Sequence, residues 1–122
     1  MSRIKQAKRG HVRVLVVDQD RLVDDLTLQD VHHELMELLN DKEEKCVVLD
    51  LTRVAFVSSA ALGMLVRIRK RCGESGTTLK LCNVGTAVDE AFRITGLNTL
   101  FEIHPDAAQA VASFDEAGPA RH

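Results

Sequence analysis

Two spacings of apolar residues take turns along this chain: short unbroken runs, and stripes with a 3.6-residue repeat. The β-branched run ending at Val17 lies between Gly10 and the turn-forming Asp18-Gln19-Asp20, and predicts a strand over His11 to Val17. The ten residues before it hold Arg3, Lys5, Lys8 and Arg9 around little apolar content, which predicts a flexible arm or an edge strand. From Leu28 the apolar positions fall at Val31, Leu35, Leu38 and Leu39, the stripe of an amphipathic helix. Asn40 to Lys45 is polar and expected to be a solvated connection. Cys46-Val47-Val48-Leu49 is too continuous for a half-exposed strand and predicts one buried on both faces. Ala61, Met64, Leu65, Ile68 and Cys72 draw a second helical stripe, with Ser58 placed to cap it and Gly73 and Gly76 to close it. Thr78 to Cys82 reads as a strand, Thr86 to Thr95 as a short helix stopped by Gly96, and Leu100 to Ile103 as a last strand or turn. Asp106 to Phe114 reads as a terminal helix, and residues 115–122 as a disordered tail. Helices between strands are what parallel neighbours in one sheet require, so the order predicts an α/β layered fold in one domain over 11–114.

The segment joining the doubly buried strand to the second helix is Leu49-Asp50-Leu51-Thr52-Arg53-Val54-Ala55-Phe56-Val57-Ser58-Ser59-Ala60-Ala61-Leu62-Gly63-Met64-Leu65. It resembles the central signature of STAS domains, in which a strand ending in Asp runs through an apolar link to an Asp/Ser-Ser pair that opens a helix. A second stretch, Asn83-Val84-Gly85-Thr86 through Thr95-Gly96-Leu97 to Leu100-Phe101, resembles the family's following helix, threonine-glycine-leucine turn and apolar pair. The two motifs occur in order, and the resemblance extends from about Val12 to Phe114. It implies a mixed central sheet with amphipathic helices mainly on one side. It also implies the role of an anti-sigma factor antagonist.

In that family the unphosphorylated domain binds an anti-sigma factor that is also a serine kinase, with a histidine-kinase-like ATPase fold, and so frees a sigma factor. A metal-dependent serine phosphatase resets the switch. The family's phosphoacceptor aligns with Ser59. Helix-start chemistry alone does not choose between Ser58 and Ser59, since either hydroxyl suits a cap. The resemblance further implies docking through Phe56, Val57, Ser58, Ala60, Ala61 and Gly63. Many members carry Asp where this chain has Ser58, and Gly where it has Ala61. A helix N-terminus leaves backbone N–H groups unpaired at the positive end of the dipole, so a phosphate there is tolerated without unfolding the domain. Within the same fold, the other reading is a scaffold or a transport-accessory subunit without a phosphoswitch.

Composition narrows the partners. The chain has no Trp, no Tyr and four Phe, which leaves little for stacking on single-stranded nucleic acid. A formal charge of -2 provides no general attraction to phosphate backbones or acidic membranes, so a protein partner is favoured. No apolar run reaches the length of a signal-peptide core or a membrane span, and a cytoplasmic location is expected. Cys46, Cys72 and Cys82 show no metal-ligand spacing and read as reduced core residues. His32 and His33 are adjacent and so point to different helical sectors, a poor metal site. No cofactor is expected, and neither a Ser-His-Asp arrangement nor a phosphate-binding glycine loop points to an enzyme.

Two further sets of charges carry alternatives. Asp18, Asp20, Asp24 and Asp25, with Asp50 at a strand end, superficially suggest a receiver domain, yet Gln19 splits the acids and Lys80 precedes Leu81. Arg67, Arg69, Lys70 and Arg71 lie on the second helix, where Arg67, Lys70 and Arg71 share a face. That face is either solvated or complementary to an acidic partner.

Overall fold

A computed structural model describes residues 2–40 and 45–117. Its centre is a five-stranded sheet in the order β1-β2-β4-β6-β7, with β1 Ile4–Arg9, β2 Val12–Val17, β4 Cys46–Asp50, β6 Thr78–Cys82 and β7 Glu102–His104. Strands β2, β4, β6 and β7 are mutually parallel, while β1 runs antiparallel along the edge of β2. The basic N-terminal segment is therefore an edge strand. Its two-residue connection to β2 places Gly10 at φ 63°, the positive value that tight hairpin turns demand.

Each parallel step needs a crossover. The crossovers are α1 Asp25–Leu38, α2 Ser59–Glu74 and α3 Thr86–Thr95. The strands advance in one direction from β2 to β7, so right-handed crossovers put all three helices on one face. There Leu15, Val17, Val47, Leu49 and Leu81 of the sheet meet Val31, Leu35, Met64, Leu65, Ile68 and Phe92 of the helices in one buried cluster. The opposite face is covered by α4 Ala107–Ala117, whose Ala110 and Phe114 pack on Val12, Val14, Val48 and Cys82. A helix on both sides explains why the run from Val47 to Leu49 contains no polar position.

Several boundaries differ from the sequence reading. Helix α1 begins at Asp25, three residues before the apolar stripe, because the Asp24 carboxylate accepts from the Thr27 backbone N–H at 3.0 Å and caps the helix there. Gly73 lies inside α2, and the chain turns instead at Gly76, at φ 75°. Helix α4 runs past Phe114 to Ala117, so 115–117, assigned above to the tail, are helical. Residues 118–122 of that tail, and 41–44 of the connection expected to be solvated, lie outside the described residues. Between Gly96, at φ 77°, and β7 the chain makes a single 3-10 turn, Leu97–Thr99. That turn brings Phe101 back against Phe92 with ring centroids 5.8 Å apart.

One pairing had no counterpart in the sequence reading. Arg21–Leu22 (β3) and Phe56–Val57 (β5) form a separate two-stranded parallel ribbon, with Arg21 opposite Phe56 and Leu22 opposite Val57. It stands directly before α2 and positions that helix's first turn.

Candidate functional site

The chain leaves β4 at Asp50, whose carboxylate is buried. Asp50 Oδ1 accepts from the Thr52 backbone N–H at 2.9 Å and from Asn83 Nδ2 at 3.2 Å, tying the end of β4 to the end of β6. Asn83 has φ 54°, a left-handed conformation that asparagine adopts more readily than most residues. The Leu51 N–H donates to the Cys82 carbonyl at 3.0 Å, and Val54 is buried. Both motifs noted in the sequence thus meet at the same end of the sheet.

From there β3 takes hold of the loop. The Ala55 and Phe56 N–H groups both donate to the Asp20 carbonyl, at 2.8 and 3.3 Å, and the Ser58 N–H donates to the Leu22 carbonyl at 2.9 Å. Leu22 itself is buried in the core. The Arg21 guanidinium carbon lies 5.0 Å from the centroid of the Phe56 ring, within cation–π range. Phe56 is nevertheless 48% exposed, an aromatic ring left at the surface beside the helix mouth. Asp20, Arg21 and Leu22 brace this loop, a support that sequence reasoning missed because a two-residue strand shows no periodicity and its partner lies over thirty residues away.

The two serines do different things. Ser58 has the extended backbone of an N-cap, φ -94° and ψ 170°, and its Oγ accepts from the Ala61 N–H at 3.2 Å. Ser59 is the first helical residue and is exposed. Its hydroxyl has no hydrogen-bond partner among the described residues. Of the other residues expected to contact a partner, Phe56 and Ala60 are exposed, while Val57, Ser58 and Gly63 are half-buried. Ala61 requires correction: it is 0% exposed, its methyl group turned into the core, so it offers a partner no surface. The helical stripe that Ala61 shares with Met64, Leu65 and Ile68 carried that signal.

Beside this helix mouth a groove of about 180 Å³ separates α1 from α2, lined by Leu28, His32, Ala60, Met64 and Arg67 among others. His32 Nε2 is buried in its wall without a hydrogen-bond partner among the described residues. Burial, then the positive charge of Arg67, then that of His33, hold the imidazole below its usual value. Arg67, Lys70 and Arg71 are exposed on α2. Arg69 points elsewhere, its Nε donating to the Leu100 carbonyl at 2.6 Å and joining α2 to the 3-10 turn.

The acidic residues that suggested a receiver have separate structural tasks. Asp18 pairs with Lys5 and Arg53, each at 3.5 Å, Asp24 caps α1, and Asp50 ties β4 to β6. Lys80 is buried on the α4 side of the sheet, 2.9 Å from Glu102 and 4.2 Å from the Phe114 ring centroid. The described residues contain no group of three or more His, Cys, Asp or Glu side chains able to hold a metal ion. They also contain no helix long and apolar enough to cross a membrane.

Comparison with known proteins agrees with this geometry. The STAS domain family model matches residues 5–110. BtrV of Bordetella bronchiseptica, assigned as an anti-sigma factor antagonist, is 35% identical over 79 residues, covering 65% of this chain and 68% of that protein. The anti-sigma-B factor antagonist of Listeria monocytogenes is 29% identical over 100 residues, covering 82% and 84%. In fold, the chain is similar to an anti-sigma-factor antagonist (STAS) domain protein from Planctomyces limnophilus. That structure has a TM-score of 0.82 and 20% identity, covering 92% of this chain and 97% of that one.

Proposed function

Because the chain belongs to the STAS domain family, we propose that it is an anti-sigma factor antagonist switched by phosphorylation of Ser59. In the unphosphorylated form it docks on an anti-sigma factor serine kinase and displaces the sigma factor. The docking face is the β5 loop with Phe56 and Val57, the cap Ser58, and the exposed side of α2 at Ala60 and Gly63. The kinase then transfers a phosphoryl group from ATP: Ser59 Oγ attacks the γ-phosphorus, a base on the kinase takes the hydroxyl proton, and ADP leaves. A metal-dependent phosphatase removes the group and restores the docking form.

One observation carries the choice of serine. Ser59 presents an exposed hydroxyl without a partner among the described residues, on a helix start that its neighbour Ser58 already caps. A nucleophile must be reachable, whereas a capping hydroxyl is committed to a backbone N–H. The antagonist role is supported by the relatives in Bordetella and Listeria. The phosphate adds about -1.5 to -2 charges to a surface fitted to a neutral hydroxyl.

The test uses the purified protein, its cognate anti-sigma kinase and ATP, with the phosphate located by mass spectrometry. Phosphate is expected on Ser59, lost in Ser59→Ala and retained in Ser58→Ala. Ser59→Asp is expected to weaken kinase binding at least tenfold, about 1.4 kcal/mol. Phosphate on Ser58, or a Ser59→Asp protein that binds as tightly as wild type, would sink the assignment. Stable capture of a transporter ATPase instead would point to an accessory subunit.

A further inference from the structure

Ser59, Gly63 and Arg67 follow one another at steps of four along α2, which stacks them on one side of the helix. A Cβ built on Gly63 would lie 3.5 Å from Arg67 Nη1. The guanidinium therefore lies back over Gly63, toward the helix N-terminus, the direction in which helical side chains lean. The Ser59 and Gly63 positions are one turn apart, about 5–6 Å between Cβ positions, so the guanidinium rests about one turn below the Ser59 position. Gly63 has no side chain to stand between them.

Arg67 is also uncommitted. It makes no hydrogen bond or ion pair among the described residues, whereas Arg3, Arg53 and Arg93 at the surface each pair with an aspartate. Lys70 and Arg71 share its face without such a pair, but only Arg67 has its charged end shown over the turn that follows Ser59. A guanidinium presents a planar fork of donors matched to phosphate oxygens, and such charge-assisted bonds are among the stronger ones at a protein surface.

We propose that Arg67 is the intramolecular reader of the Ser59 phosphate: once the group is added, the guanidinium bonds to it across Gly63. This rests on Ser59 phosphorylation as proposed above, and gives that switch a second component. The pairing withdraws an exposed cation from the docking face and lays a phosphate–guanidinium bridge across the mouth of the α1–α2 groove, beside Ala60. A partner then meets an altered shape as well as an altered charge.

The experiment installs phosphoserine at position 59 during translation, so that it does not depend on any kinase, and follows the ³¹P resonance with pH. The second ionisation of phosphoserine ordinarily falls near 6, and a paired guanidinium lowers it. It is expected to lie lower in the otherwise wild-type protein than in Arg67→Gln by about half a pH unit. Lys70→Gln, farther along the same face, is expected to leave it in place. Asp25 and His32 face the groove from α1, and Lys70 and Arg71 remain on α2 in both proteins. Arg67 itself holds the His32 imidazole down, so the pair of curves is repeated in a His32→Gln background, where the difference is expected to persist and its disappearance would overturn the proposal.

Superimposable curves for wild type and Arg67→Gln would overturn the proposal, as would an equal shift in Lys70→Gln, which would trace the effect to the general charge of the face. Either result leaves Ser59 as a kinase substrate untouched. Conversely, failure of a kinase to phosphorylate Ser59 would not alter the titration.

Discussion

At the scale of single residues, the serine pair shows how adjacent, chemically identical side chains acquire different roles. Ser58 lies where the backbone is still extended, so its hydroxyl can turn back to the Ala61 N–H. Ser59 is already helical and exposed, and its hydroxyl makes no hydrogen bond among the described residues. The difference separates stability from switching. Ser58→Ala is expected to lower unfolding free energy by about 1 kcal/mol, the usual cost of a lost N-cap, and Ser59→Ala to stay within about 0.5 kcal/mol of wild type. Chemical denaturation of the two variants checks this, and an equal loss in both would mean that Ser59 shares the capping. The sequence placed Ser58 as the cap, but the choice of Ser59 as phosphoacceptor rested on the family resemblance, because before the first helical φ/ψ pair is located either hydroxyl suits a helix start. Ala61, three residues past the cap, has rotated into the core with the stripe it shares with Met64, Leu65 and Ile68.

At the scale of elements, the long apolar runs were legible and the short pairings were not. The strand run Cys46 to Leu49 and the stripe through Ala61, Met64, Leu65 and Ile68 declared themselves because burial on a whole face imposes a period. The β3–β5 ribbon did not, although the Leu22 carbonyl within it and the Asp20 carbonyl just before it accept the three backbone hydrogen bonds that aim the Ser58-Ser59 segment. The terminal helix α4 was anticipated, but not the face it covers. That face includes Cys82, whose thiol is pushed up to about 12, chiefly by burial and then by the nearby Asp50 carboxylate. In the native protein at pH 8, Cys82 is therefore expected to resist alkylation. Phe114→Ala removes the ring that packs over Val12, Val14 and Val48 beside it. It is expected to cost about 3–5 kcal/mol and to open Cys82 to a thiol reagent well before global unfolding, as peptide mass mapping would detect. Protection of Cys82 undiminished in that variant would mean that α4 does not shield this face.

At the scale of the whole molecule, stability against pH sums over every group whose proton affinity changes on folding. His32 is held below its ordinary 6.5 by burial first, then by Arg67 and His33. As pH falls, the unfolded chain takes up the His32 proton before the folded one does. The stability that His32 allows is thus fully present above 6.5 and declines through the window between 6.5 and its lowered folded value. Asp24, lowered chiefly by the Thr27 backbone N–H, acts only near and below its ordinary 3.8, so the two windows are separate. Denaturant midpoints are expected to fall between about pH 7 and 5, within the range where histidines titrate, and His32→Gln to flatten part of that fall. An unchanged slope in His32→Gln would show that His32 is not responsible.

The sequence by itself determined the order of strands and crossover helices, the doubly buried centre of the sheet, and the family to which the helix-mouth motif points. Each of these is written in local spacing. Only the tertiary structure decided that Arg21 and Leu22 brace the loop and that the Arg67 guanidinium lies over Gly63. Those depend on residues far apart in the chain meeting at one end of a sheet, or on where a single side chain comes to rest, and no periodicity records either.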